Sequence, residues 1–183
     1  MTTSYIISQS FAFVALIFTI VSYFVVSRTL LFTFQTIGNI LLFLSYVFIG
    51  VTFAWIGTAV ATIRTGTFAL FSFKKKEMPW ALVVLFIVLT LVCVILTYSS
   101  PFDIMYFIGL SVFTLSMKMR ELVKVKGGMI VAILIYVIYA IILGNYVGAL
   151  LQTLEFVTAI VSVVIALHKR RINKIDKNHD IEE

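Results

Sequence analysis

One stretch of the chain, Tyr5 to Phe73, carries only two charged residues, Arg28 and Arg64. A water-soluble fold cannot bury that much apolar surface, whereas bilayer hydrocarbon accepts it. The rest of the chain is similar. Of its 183 residues 62% are hydrophobic, against about 45–50% in soluble domains, and 12% are charged, against about 25%. Mean hydropathy is +1.13. Disorder, a coiled coil and nearly all soluble globular folds are excluded. The expected fold is an all-α integral membrane protein.

A helix crossing about 30 Å of hydrocarbon needs about 20 residues at 1.5 Å each. Tyr5 to Phe73 then holds three spans, broken at Ser27-Arg28-Thr29 and at Gly50-Val51-Thr52. Lys74-Lys75-Lys76-Glu77 and Pro79 end the third. Trp80 to Ser99 makes a fourth, and Ser99-Ser100-Pro101-Phe102-Asp103 a turn, because proline cannot continue the preceding helix. Ile104 to Met117 is a short fifth span. Lys118 to Lys126 reads as a basic loop, and Gly127-Gly128 opens a sixth span that ends at Gly144-Asn145. Tyr146 to Leu167 is the seventh, followed by a polar tail. The N-terminal residues have no basic n-region, so the first apolar run is expected to stay as a membrane helix.

Thirteen of the 14 Lys and Arg residues fall after spans one, three, five and seven. The exception is Arg64, within span three. The bias of positive charge toward the cytoplasm predicts an outside N-terminus and a cytoplasmic C-terminus. The net charge of +6 therefore describes orientation and contact with anionic lipid, and no nucleic-acid partner is expected.

A shift of 94 residues superposes the two halves without a gap. Ser22 falls on Ser116, Gly50 on Gly144 and Ala54 on Gly148. The expected organisation is three helices, a linker helix and three helices: 1–73 as the first repeat, 74–100 as basic loop and linker, 101–168 as the second repeat and 169–183 as a charged tail. With one helix between them the repeats have the same orientation, related by an axis along the membrane normal.

That organisation resembles the SWEET, PQ-loop and PnuC-type transporters. A closer resemblance, over residues 11–170, is to the bacterial YgjV-type inner membrane family. It rests on Gln35, Asn39 and Phe43, then Gly50, then Arg64, and in the second half on Gly144, Gly148 and Gln152. The resemblance implies a multi-pass protein of the bacterial cytoplasmic (inner) membrane whose biochemical role is unsettled. The chain departs from the SWEET pattern in having only two prolines, Pro79 and Pro101, and no intramembrane proline hinge.

Ionisable residues inside a bilayer need a partner or a water-filled cavity. Arg64 lies about 16 Å, and Glu155 about 13 Å, from the outer ends of their spans, with Asn39 at similar depth. Gln152 is one turn from Glu155, and Tyr136 also falls near the midplane. Asn39, Arg64, Tyr136, Gln152 and Glu155 are the candidate substrate-binding residues, with Gln35, Ser111 and Thr114 as secondary polar positions. Two readings follow: a site for a small polar or anionic solute between the halves, or a structural Arg64–Glu155 pair in a non-transporting scaffold. Either predicts the two charges within salt-bridge or one-water distance.

Other signals receive plainer readings. Gly57 and Ala61 read as small residues permitting close helix approach. Most of the 17 Phe and eight Tyr read as lipid-facing bulk or interfacial anchors, and Trp55 and Trp80 as interfacial. Asp103 reads as a solvated turn residue, and His168 as interfacial. The single cysteine, Cys93, reads as a small apolar residue. With two histidines beside it, no disulfide, metal site or cofactor is expected. No nucleophile–base pair, phosphate loop or acid pair is legible, so the expectation is a non-enzyme. Expected partners are the bilayer, the solute and possible further copies of the chain.

Overall fold

In a computed structural model the described residues are 3–50, 52–98, 100–144 and 146–182, with side chains described for all of these except 49, 52–55, 147–148, 169–170 and 172–182. They form seven helices and no strand. These are α1 (Thr3–Phe24), α2 (Arg28–Ile49), α3 (Thr52–Phe73), α4 (Trp80–Leu96), α5 (Asp103–Met117), α6 (Leu122–Ile142) and α7 (Tyr146–Glu182). The chain is an all-α integral membrane protein. α1, α2, α3, α6 and α7 contain segments long and apolar enough to cross a bilayer. α4 and α5 are apolar but shorter, 17 and 15 residues, or about 25 and 22 Å. Large side chains such as Phe13 (65% exposed) and Leu96 (72%) face outward, where lipid replaces water.

Three boundaries differ from the sequence reading. The expected basic loop Lys118–Lys126 is half helix: α6 begins at Leu122, and Lys126 is 3% exposed. Its ammonium donates to the carbonyls of Tyr23 (2.5 Å) and Val25 (3.2 Å), so a cation can enter the bundle there. α4 stops at Leu96, short of Ser99, which lies outside the described residues. α7 runs for 37 residues, through the expected tail to Glu182, because nothing after Leu167 is a glycine or proline. The side chains of Lys169, Arg170, Lys174 and Lys177 lie outside the described residues.

The turns follow the residues that demand them. Gly50 and Gly144 end α2 and α6 with φ of 79° and 69°, the left-handed region that glycine enters freely. Pro79 stands immediately before α4, where its missing N–H costs nothing.

α1 packs on α2 and α2 on α3. In the same order α5 packs on α6 and α6 on α7, while α4 touches α3 and α5, and α1 meets α7. The apolar core is concentrated at the end of the bundle that carries the basic connections. Tyr23, Phe32, Phe68, Met117, Val125 and Met129 are fully or almost fully buried there. Cations close that end over the core. Arg28 donates to the carbonyl of Met117 (2.5 Å), Lys118 to that of Met78, and Arg120 pairs with Glu77. A cation at a helix C-terminus satisfies carbonyls left without intrahelical partners and complements the helix dipole.

One contact joins positions 94 apart, the offset of the expected repeat. Gln35 Nε2 meets Met129 S at 3.6 Å. Tyr23 and Met117, which the same offset would superpose, each have a carbonyl that accepts from a cation, Lys126 and Arg28 respectively. Ser22 and Ser116 each donate to the carbonyl three residues back, at 2.6 and 2.7 Å. The third equivalence, Ala54 with Gly148, lies outside the described side chains.

Candidate functional site

Away from the basic end the helices splay around a cavity of about 640 Å³. Its floor includes Tyr23 and Ile133, the upper edge of the apolar core. Its walls reach Tyr46 on α2, Thr97 after α4 and Ala140 on α6, each within a turn of the far helix ends. A second cavity of about 150 Å³ adjoins it, sharing Val94, Thr97, Tyr106 and Tyr139 and adding Asp103.

All five primary candidates, Asn39, Arg64, Tyr136, Gln152 and Glu155, line the large cavity, as does Gln35. Ser111 and Thr114 do not line it. Ser111 Oγ is buried without a partner among the described residues, and Thr114 holds Arg64. Asn39 donates to Thr65 Oγ1 at 3.2 Å, which ties α2 to α3.

The direct Arg64–Glu155 ion pair is not formed: no nitrogen of Arg64 comes within 4.0 Å of the carboxylate. Arg64 is 4% exposed and is drawn instead to α5. Its Nη1 donates to Thr114 Oγ1 at 2.9 Å, and the guanidinium stacks over the Phe113 ring at 5.1 Å. A hydroxyl and an aromatic face on one neighbouring helix turn the side chain away from α7. Glu155 is partly buried and has no hydrogen bond or ion pair to a described residue.

Four lining residues keep a buried polar atom without a hydrogen-bond partner among the described residues. These are Gln35 Oε1, Arg64 Nε, Tyr136 Oη and Gln152 Oε1. Buried polar groups are ordinarily satisfied, and an orphan costs about 1–3 kcal/mol. Four orphans around one hollow are the arrangement expected where water or a ligand completes the hydrogen bonds.

A model of the Imp-YgjV family, bacterial inner membrane proteins, matches residues 6–171. The chain belongs to the Imp-YgjV family. No curated protein and no solved structure matches it. The family match places this Imp-YgjV chain in the bacterial inner membrane, in agreement with its apolar helices.

Three expectations about the walls need correcting for this family member. A Cβ added at Gly57 would meet nothing within 4 Å, and Gly57 and Ala61 border the cavity rather than a close helix contact. The close approaches lie elsewhere. At Gly128 a Cβ would stand 2.3 Å from that of Ser116, and at Gly109 it would stand 2.5 Å from the Tyr136 ring. Asp103 is 6% exposed and not a solvated turn residue. It accepts from the Tyr139 hydroxyl at 2.6 Å and the Ser100 N–H at 2.9 Å, fixing the start of α5 against α6. Several tyrosines read as bulk or anchors are walls: the Tyr106 ring packs at a tilt against those of Tyr136 and Tyr139, with centroids 5.5 Å apart in each pair. Cys93 also borders the cavity. Trp55 lies outside the described side chains.

Sequence reasoning missed Tyr46, Thr58, Thr90, Tyr106 and Tyr139 as lining residues. One signal was available. Nine pairs of lining residues stand 94 positions apart, among them Ala12 with Tyr106, Leu42 with Tyr136 and Thr58 with Gln152. Applying the expected 94-residue offset to the candidate residues leads from Gln152 to Thr58.

Proposed function

We propose that this protein admits a small polar solute to the bacterial inner membrane through the central cavity and passes it across. The observation that carries this reading is the set of four unpartnered polar atoms on the walls of one cavity of about 640 Å³. Ligand pockets fall in the range of about 300–1,000 Å³, with a few convergent polar groups among apolar and aromatic ones. Arg64 and Glu155 supply the charges, and Asn39, Gln35, Gln152 and Tyr136 the orienting hydrogen bonds.

The reading includes an orientation and a symmetry. The N-terminus faces outward and the C-terminus the cytoplasm, since the basic connections gather at one end. Helices α1–α3 and α5–α7 form parallel repeats, with α4 as linker and the cavity on their common axis. The Gln35–Met129 contact and the nine equivalent pairs of lining residues support that axis. The cavity then faces outward, and the apolar core with its cationic clasp closes the cytoplasmic side.

The single native cysteine offers a direct test, because Cys93 borders the cavity. A membrane-impermeant methanethiosulfonate applied from the periplasmic side should modify it in intact spheroplasts. A Cys93→Ser control should show no signal. Absence of reaction from either side would mean a dry centre and overturn the reading. Uptake by proteoliposomes then tests passage.

A non-transporting scaffold is the second reading, and one observation favours it. Arg64 joins α3 to α5 through Thr114 and Phe113, which is work a purely structural residue does. A protein whose Cys93 is unreactive and whose Arg64→Met variant only loses stability would be such a scaffold.

A further inference from the structure

The charges of the cavity narrow the class of solute, and this inference rests on the transport reading above. Among the lining residues Arg64 is the sole formal cation and Glu155 the sole formal anion. Opposite charges sharing one chamber attract each other. These two are instead held apart. Arg64 is fixed to α5 by Thr114 and by the Phe113 ring, while Glu155 projects from α7 without a partner among the described residues. Tyr136 on α6 lines the same cavity, and its buried hydroxyl has no hydrogen-bond partner among the described residues. The three groups come from three helices, α3, α6 and α7, and surround one space.

A buried charge needs an opposite charge or strong hydrogen bonds to offset its desolvation. A monoanion would engage Arg64 and leave Glu155 uncompensated and repelled. A monocation would do the reverse. A neutral polyol would compensate neither. A molecule carrying both charges satisfies both walls at once and adds no net charge to the chamber. We infer that the cavity binds a small zwitterion, its carboxylate on Arg64 and its cationic group on Glu155, with the Tyr136 hydroxyl between them. The Tyr106 and Phe113 rings form the apolar surface for the remainder of the solute.

The test is thermal unfolding of the purified full chain in detergent, read by intrinsic fluorescence, with solutes at millimolar concentration. The panel is glycine, β-alanine, 4-aminobutyrate, 6-aminohexanoate, phenylalanine and glycine betaine. Controls are butyrate, butylamine, phenylacetate and glucose. At least one zwitterion should raise the midpoint and slow modification of Cys93, while the controls do neither. The ω-amino acid series varies the distance between the charges, so its best member reports the Arg64–Glu155 separation. Glu155→Gln should weaken the zwitterion by about tenfold or more and shift preference toward the matching carboxylate. Arg64→Gln should shift it toward the amine. Glu155→Gln is nearly isosteric and also removes a buried charge, so it should fold even where Arg64→Gln does not.

A control that stabilises as well as its zwitterion, or a panel without effect although Cys93 reacts, overturns the zwitterion and leaves the water-filled cavity standing. An unreactive Cys93 with no solute effect overturns both readings.

Discussion

The two ends of this bundle are built from the same seven helices and behave as different materials. At the basic end, rings and thioethers from six helices fill the interior, and cations cap the last carbonyls of α1 and α5. At the other end the same helices part around about 640 Å³, lined by tyrosines, amides and the two charged residues Arg64 and Glu155. The contrast follows from what stands at each level. Below Gln35 and Ile133 the inward positions are Leu31, Phe32, Met129 and Val125, which interdigitate to close packing. Above them stand Gly57, Ala61 and Ala12, too small to reach the opposite wall. Polar atoms cluster where packing stops, because only there can something else satisfy them.

If the basic end is a packed core, truncation there should have the largest effect. Phe32→Ala is expected to cost about 3–5 kcal/mol in reversible detergent unfolding, whereas Leu42→Ala, facing an existing hollow, should cost well under half of that. Equal losses would erase the distinction between the two ends.

The cationic clasp should come next. Arg28→Met or Lys126→Met should each cost about 1.5–3 kcal/mol, since each strands a helix-terminal carbonyl that had a charged donor. Under the symmetric reading the two losses should be alike. A large effect from one and none from the other would break the equivalence of the halves.

Glycines give a matched pair of smaller effects. Gly128→Ala forces a methyl group onto Ser116 and should cost about 1–3 kcal/mol. Gly57→Ala meets open space and should be neutral or stabilising by about 0.5–1 kcal/mol, the usual gain of alanine over glycine within a helix. The smallest stability effect belongs to Tyr136→Phe. It removes an unpartnered hydroxyl and should leave the midpoint unchanged or raised, while solute-dependent stabilisation falls. A clear drop in the midpoint without solute would mean that the hydroxyl has a structural partner.

Much of the site was legible because depth along a membrane helix is simple arithmetic. At 1.5 Å per residue, Asn39, Arg64, Tyr136, Gln152 and Glu155 fall at similar levels, and all five line one cavity. The partner of Arg64 was not legible. Equal depth and opposite sign favoured Glu155, but rotation about each helix axis placed Thr114 and Phe113 nearer. The same ambiguity hid the tyrosine walls. Tyr106 and Tyr139 are chemically like the tyrosines that anchor at interfaces, and only the facing of α5 and α6 separates them.

The sequence alone determined the membrane, the number of helices and most of their ends, because the cost of exposing backbone and charge to hydrocarbon acts residue by residue. It also determined the family, through residues carried along the chain. Only the tertiary structure decided that α6 begins early enough to bury Lys126 and that Gly57 faces a hollow while Gly128 meets a neighbour. It alone decided that the two charges of the cavity stand apart. Those outcomes depend on how helices rotate and lean against one another, which is set by the sum of many side-chain contacts across the bundle and by no single position in the chain.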